Sequence, residues 1–85
     1  MKKQKRPPQY SRKAQKYINK QDKTVKRRIK KAIEEIPLGD IVPYERSEKS
    51  FRLRKSDFRI IFSWIDDEQI LIEKIKPRGD VYKGV

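Results

Sequence analysis

The residues FRLRKSDFRIIF, 51–62, constrain the fold more than any other stretch, because they alternate at strand period on both sides of a short polar turn. Alternation puts Phe51 and Leu53 on one side of a first strand, and Arg52 and Arg54 on the other. Beyond a turn through Lys55, Ser56 and Asp57, the side chains of Phe58, Ile60, Phe62 and Trp64 share a face. Arg59, Ile61 and Ser63 take the opposite one. A two-residue loop at Lys55-Ser56 pairs Arg54 with Asp57, Leu53 with Phe58, Arg52 with Arg59 and Phe51 with Ile60. Residues paired across an antiparallel ladder point the same way, so this register joins both apolar rows into one core face. It also sets Arg52 against Arg59 on the other face. Like charges directly opposed repel, so such a pair is expected to serve an anion, with phosphate the first candidate.

The rest of the chain must supply what covers that core face. With 85 residues there is room for one domain only, and an apolar fraction of 34% against 42% charged residues keeps its core small. The formal net charge of +12 draws the chain toward nucleic acid, an anionic membrane surface or an acidic protein. That charge is concentrated. Residues 1–31 hold 14 Lys or Arg against the single acid Asp22, whereas residues 32–85 hold 10 against 11. Cysteine is absent, which excludes a disulfide framework, a thiolate zinc site and a cysteine nucleophile. Histidine is absent too, and with it the commonest general base and metal ligand. No apolar run approaches a membrane span or a signal-peptide core, so the chain reads as cytoplasmic, with no membrane partner.

Residues 1–8 read as a mobile basic arm ending in Pro7-Pro8 and leading into a short edge strand toward Tyr10. Ser11 is the expected N-cap of a first helix with Ala14, Tyr17 and Ile18 on one stripe. After a break at Asn19 to Asp22, with Asp22 as cap, a second helix carries Val25, Ile29, Ala32, Ile33 and Ile36 at spacings of 4, 3, 1 and 3. Pro37 and Gly39 stop it. Its other face holds Lys23, Lys26, Arg27, Arg28, Lys30 and Lys31, with Glu34 and Glu35 late, an order that opposes the helix dipole. Either that face is plain solvated surface or it binds an anion, and an excess of this size favours binding. Residues 37–49 read as a connecting loop, followed by strands near 50–54, 57–65 and 69–76, with Asp66, Asp67 and Glu68 as a turn. The last strand, ILIEKI, alternates less cleanly, with Ile70 and Ile72 on one face and Leu71 and Ile75 on the other, as in a central strand covered on both sides. The fold class expected is α+β, with two N-terminal helices on one face of a small, mainly antiparallel sheet, forming a single domain over residues 1–85.

This order of elements, FRLRKSDFRIIF at 51–62 and the terminal KPRGDVY at 76–82 together resemble the RelE/ParE toxin superfamily of type II toxin–antitoxin pairs, over residues 9 to 83. The terminal motif is similar to the RelE-like branch, which implies a small endoribonuclease, an mRNA interferase that cuts messenger RNA in the ribosomal A site. The resemblance implies that Arg59 stabilises the scissile phosphate, that Arg52 is a further catalytic basic residue and Arg54 a second basic position that binds RNA, and that Tyr82 is a general base or base-stacking group. It implies Arg78 as the residue that protonates the leaving oxygen, with Lys76 as the alternative, and Ser50 stands where some members have another lysine. The partners implied are a cognate acidic antitoxin, messenger RNA, the ribosome and its RNA, and promoter DNA only through the antitoxin complex. No cofactor or metal is implied. The alternatives are a ParE-like gyrase poison without nuclease activity and a non-catalytic RNA-binding protein.

The chemistry fits those residue types. Metal-independent RNA cleavage uses the 2′-hydroxyl as internal nucleophile and needs a base, charge stabilisation and an acid. Arginine forks suit phosphoryl oxygens but are poor acids, and a tyrosine acts as base only where cations lower its pKa. Lys26, Arg27 and Lys30 on the second helix, with Arg54 and Lys76, are the expected RNA-binding residues. On spacing alone, Arg52, Arg54 and Arg59 also fit the exposed face of an ordinary sheet, and Tyr82 fits a packing residue. Phe62 and Trp64 read as core.

Overall fold

The computed structural model describes residues 2–45 and 48–77. Its elements are β1 (Gln9–Tyr10), α1 (Arg12–Asn19), α2 (Lys23–Glu35), β2 (Ile41–Pro43), β3 (Ser50–Arg54), β4 (Phe58–Asp66) and β5 (Gln69–Pro77). The strands form one sheet in the order β1-β5-β4-β3-β2, with β1 parallel to β5 and the other neighbours antiparallel. Both helices cover a single face of it, as the sequence pattern leads one to expect. Ala14 of α1 and Ile29, Ala32, Ile33 and Ile36 of α2 and its C-cap bury against Leu53, Phe58, Ile60, Phe62, Ile70, Ile72 and Ile75. Phe51 and Phe62 meet at a ring-centroid distance of 5.8 Å. Trp64 is partly buried at the edge of this cluster, with Lys2 Nζ 5.9 Å from its ring.

Local chemistry starts each helix where the cap residues predict. Ser11 Oγ accepts from the Ala14 N–H at 3.1 Å, and Asp22 Oδ1 accepts from the Val25 N–H at 2.9 Å. The Ser11 hydroxyl also donates to the Glu73 carbonyl at 2.5 Å, which clips the start of α1 onto β5. At the other end of α2, Gln4 Nε2 donates to the carbonyls of Ile33 and Ile36, at 2.7 and 2.9 Å. An N-terminal side chain thus adds a partner to carbonyls at the helix end, that of Ile33 also accepting from the Ile36 N–H at 3.2 Å. Gly39 takes φ +112° directly after, and a Cβ there would lie 3.0 Å from Leu53 Cδ1. Glycine meets both demands.

The structure corrects four expectations. The β3–β4 turn falls at Ser56-Asp57, one residue later than expected, so Arg54 lies opposite Arg59, Leu53 opposite Ile60, Arg52 opposite Ile61 and Phe51 opposite Phe62. Moving a turn by one residue shifts the register by two, which keeps every side chain on its face but changes its partner. Asp57 is drawn toward the helix layer, where it pairs with Arg28 Nη1 at 2.8 Å. Secondly, residues 41–43 of the expected loop form β2, an edge strand that pairs with β3. Thirdly, Ile75 does not share a face with Leu71. The register of β5 against β4 shifts between Ile61 and Phe62, leaving Glu73 as an extra residue, and this bulge returns Ile75 to the core face beside Ile72. Lastly, the basic arm expected to be mobile lies along the β4–β5 turn. Lys3 N–H donates to the Asp67 carbonyl at 2.9 Å, Lys5 and Arg6 N–H groups donate to the Glu68 carbonyl at 2.8 and 3.2 Å, and the Arg6 guanidinium pairs with Asp66.

Candidate nucleic-acid interface

The face of the sheet turned away from the helices carries five cations in two transverse rungs. Register places Arg54 of β3, Arg59 of β4 and Lys76 of β5 side by side across three strands. Two residues further along, Arg52, Ile61 and Lys74 form the second rung, with Val42 of β2 opposite Arg52. Neighbouring strands lie roughly 4.8 Å apart, so each rung spans about 10 Å, and the rungs are separated by roughly 6.6 Å along the strands. Ile61 is 1% exposed, yet stands outside the core beneath the helices. It is the apolar floor between Arg52 and Lys74.

Rows of like charge cost energy unless something neutralises them. Arg54 has such a partner, with its Nε and Nη2 donating to the two Asp40 oxygens at 3.0 and 3.1 Å. Arg59 instead directs Nη1 at main-chain carbonyls, those of Lys55 and, at 3.1 Å, Phe58. That bond fixes the guanidinium beside the turn while leaving its charge unneutralised. None of the ion pairs among the described residues involves Arg52, Arg59, Lys74 or Lys76. Arg52 Nε is buried and has no hydrogen-bond partner there. An orphaned buried donor in a cationic row has the character of a site built for an anion. Asp40, Arg54, Lys55, Ser56 and Arg59 line a shallow, open groove of about 570 Å³ at the turn end of this face.

Of the residues singled out in the sequence, Arg52, Arg54, Arg59 and Lys76 therefore come together. The direct Arg52–Arg59 pairing does not occur, because Arg59 sits between Arg54 and Lys76. Lys26, Arg27 and Lys30 are exposed on α2, in the helix layer and so on the other side of the sheet from the rungs. Lys26 and Lys30 instead flank a groove of about 290 Å³ with Tyr10, Gln15 and Ile18. The Tyr10 phenol there is raised above its ordinary pKa, first by burial and then by the charge of Glu34. The two basic surfaces approach each other around the hairpin tip, where Lys55 and Ser56 border both the sheet groove and a second one containing Arg28 and Lys31. Arg78 and Tyr82 lie outside the described residues.

Sequence reasoning missed Lys74 and Asp40. Lys74 is shifted into the second rung by the Glu73 bulge, and the broken alternation of ILIEKIK was its only trace in the sequence. Asp40 lay in a segment read as plain loop. Among the described residues no group of three or more acidic side chains gathers where a metal ion would be held, and no helix is long and apolar enough to cross a membrane.

No protein-family model matches the sequence, and no curated protein matches it. Solved structures do. The archaeal RelE–RelB complex from Pyrococcus horikoshii OT3 contains a chain 26% identical, with a TM-score of 0.65 over 93% of this chain and 98% of that one. The RelB–RelE antitoxin–toxin complex from Methanococcus jannaschii gives a TM-score of 0.67 at 18% identity, over 89% and 96%. The toxin–antitoxin complex RelBE2 from Mycobacterium tuberculosis gives 0.63 at 14% identity, over 84% and 95%. The chain thus shares its fold, over nearly its whole length, with chains of RelB–RelE antitoxin–toxin complexes, and that likeness supports a place in the RelE/ParE toxin superfamily.

Proposed function

We propose that the chain is the toxin of a toxin–antitoxin pair, and that it is a metal-independent endoribonuclease that cuts messenger RNA in the ribosomal A site. The observation that carries this reading is the rung Arg54–Arg59–Lys76 with Arg52 behind it, on a sheet face free of helices. The likeness to RelB–RelE complexes supports the toxin role and a protein antitoxin as partner. With a net charge of +12, the antitoxin that silences it is acidic.

In the proposed reaction the 2′-oxygen attacks the adjacent phosphorus. The O2′–P bond forms, the P–O5′ bond breaks, and the products are a 2′,3′-cyclic phosphate and a 5′-hydroxyl. Arg59 meets the charge that builds on the non-bridging oxygens, and its bonds to the Lys55 and Phe58 carbonyls hold it ready for that task. Asp40 orients Arg54 in the same way. By the terminal motif, Tyr82 takes the 2′ proton and Arg78 (or Lys76) supplies the proton to O5′. Arginine is a weak acid, so much of the rate comes from holding the RNA in line, for which the ribosome is the scaffold.

The test is to incubate the purified protein with programmed ribosomes, map messenger ends by primer extension, and run gyrase supercoiling in parallel. New 5′ ends within A-site codons are expected, absent with Arg59→Ala and strongly slowed with Tyr82→Phe. Intact messengers beside inhibited supercoiling would overturn the nuclease reading in favour of a gyrase poison.

A further inference from the structure

The strand register divides the cationic face into two rungs, Arg54–Arg59–Lys76 and Arg52–Ile61–Lys74. We infer that Arg52 and Lys74 form a second phosphate subsite, so that the face holds a single RNA strand by two consecutive phosphates. This rests on the reading of that face as the RNA site. The rungs are displaced along the strands and not across them, so the RNA backbone runs parallel to β4. Their separation of roughly 6.6 Å follows from two residues of strand rise, and it matches the step between successive phosphates of an extended single strand.

Each rung has what a phosphate needs. In the first, Arg59 and Lys76 stand side by side, and Arg54 completes the row with its fork held by Asp40. In the second, Arg52 and Lys74 flank Ile61 with no carboxylate on either among the described ion pairs, and the buried Arg52 Nε lacks an acceptor. A phosphate meets the other N–H groups of this half-buried guanidinium. The low polarity around the buried Ile61 strengthens the contact. The next position along is Ser50, beyond Arg52 on the same side of β3, and it closes the track. Ser50 Oγ donates to Glu73 Oε2 at 2.8 Å, so a carboxylate stands where a third phosphate would sit. The bulge at Glu73 therefore does two things at once. It turns Lys74 into the second rung and ends the site one step later.

The inference is tested by fluorescence anisotropy with a short, labelled, single-stranded oligoribonucleotide made uncleavable by 2′-O-methylation, titrated between about 50 and 200 mM salt. Lys74→Gln and Lys76→Gln are each expected to lower the slope of log affinity against log salt by about 0.7, the value of one single-strand phosphate contact. The double variant loses both increments, Lys74→Arg restores its own, and Lys16→Gln, exposed on α1, leaves the slope unchanged. Thermal melts matching the parent protein accompany each variant, since none of these side chains is buried. An unchanged slope for Lys74→Gln beside a reduced one for Lys76→Gln overturns the second subsite while the sheet face stands as the RNA site. Unchanged slopes for both Lys76→Gln and Arg59→Ala overturn the sheet face itself, and the subsite with it.

Discussion

The two sides of the β3–β4 hairpin are made from alternate residues of the same strands, yet they follow opposite rules. On the helix side, Leu53, Phe58, Ile60 and Phe62 are at most 2% exposed and joined to α2 by apolar contact. On the other side, Arg52, Arg54 and Arg59 are set among like charges, with Asp40 the one carboxylate that pairs with any of them among the described residues. The first arrangement lowers the free energy of the fold. The second raises it, and is tolerated because the first is strong. A sheet can thus separate stability from anion binding between adjacent residues, with a period of two along each strand. In α2 the same division runs around a helix, where Ile29 and Ile33 are buried and Lys26 and Lys30 exposed.

This contrast is broken hardest from the core side. Phe62→Ala should cost about 3–5 kcal/mol in urea-unfolding stability, as large aromatic truncations in cores do. For so small a core, a loss of that size is close to complete unfolding. From the other side, Arg59→Ala should lower the cleavage rate on programmed ribosomes by about a hundredfold or more, the usual cost of losing one charge-stabilising donor. Its melting temperature should stay level or rise, because a repelled cation has gone. A melt that falls with Arg59→Ala as far as with Phe62→Ala would erase the distinction between the faces. Ser11→Ala removes both a cap and a tie to Glu73, and should cost about 1 kcal/mol in the same unfolding assay.

The smallest effect concerns the arm. The Arg6 side chain, followed by the backbone N–H of Glu68, holds the Asp66 carboxyl below its ordinary pKa. A carboxyl depressed on folding contributes stability in full above its unfolded pKa, near 3.9, and loses it as the pH falls through the lower folded value. Urea midpoints measured below about pH 4 should therefore fall less steeply in Asp66→Asn than in the parent. The pair is exposed, so the difference should fade in high salt.

Much of this architecture was legible before any coordinates. Ser11 and Asp22 start their helices because a side-chain oxygen two or three residues before a free N–H is a local matter. The α2 stripe and the faces of β3 and β4 follow from periodicity alone. The misreadings share one cause, since each concerned a choice made by a distant partner. Asp57 left the hairpin ladder for Arg28, twenty-nine residues earlier in the chain by the numbering. β2 exists because β3 offers an edge, and Ile41–Pro43 alone is too short to show a strand pattern. The arm was read from its composition as mobile, whereas Gln4 and the arm's main-chain N–H groups tie it to α2 and the β4–β5 turn.

The site divides in the same way. Which face would carry Arg52, Arg54 and Arg59 was settled by alternation, a property of the covalent chain. Which cations stand side by side was not. That depended on the turn falling at Ser56-Asp57 and on one extra residue at Glu73, and both are set by packing against elements remote in sequence. The amino-acid order determined the faces, the caps and the excess of positive charge, because those need only near neighbours. Only the folded sheet decided the register that sorts the cations into two rungs, because a register is a relation between strands and is fixed where their buried sides meet.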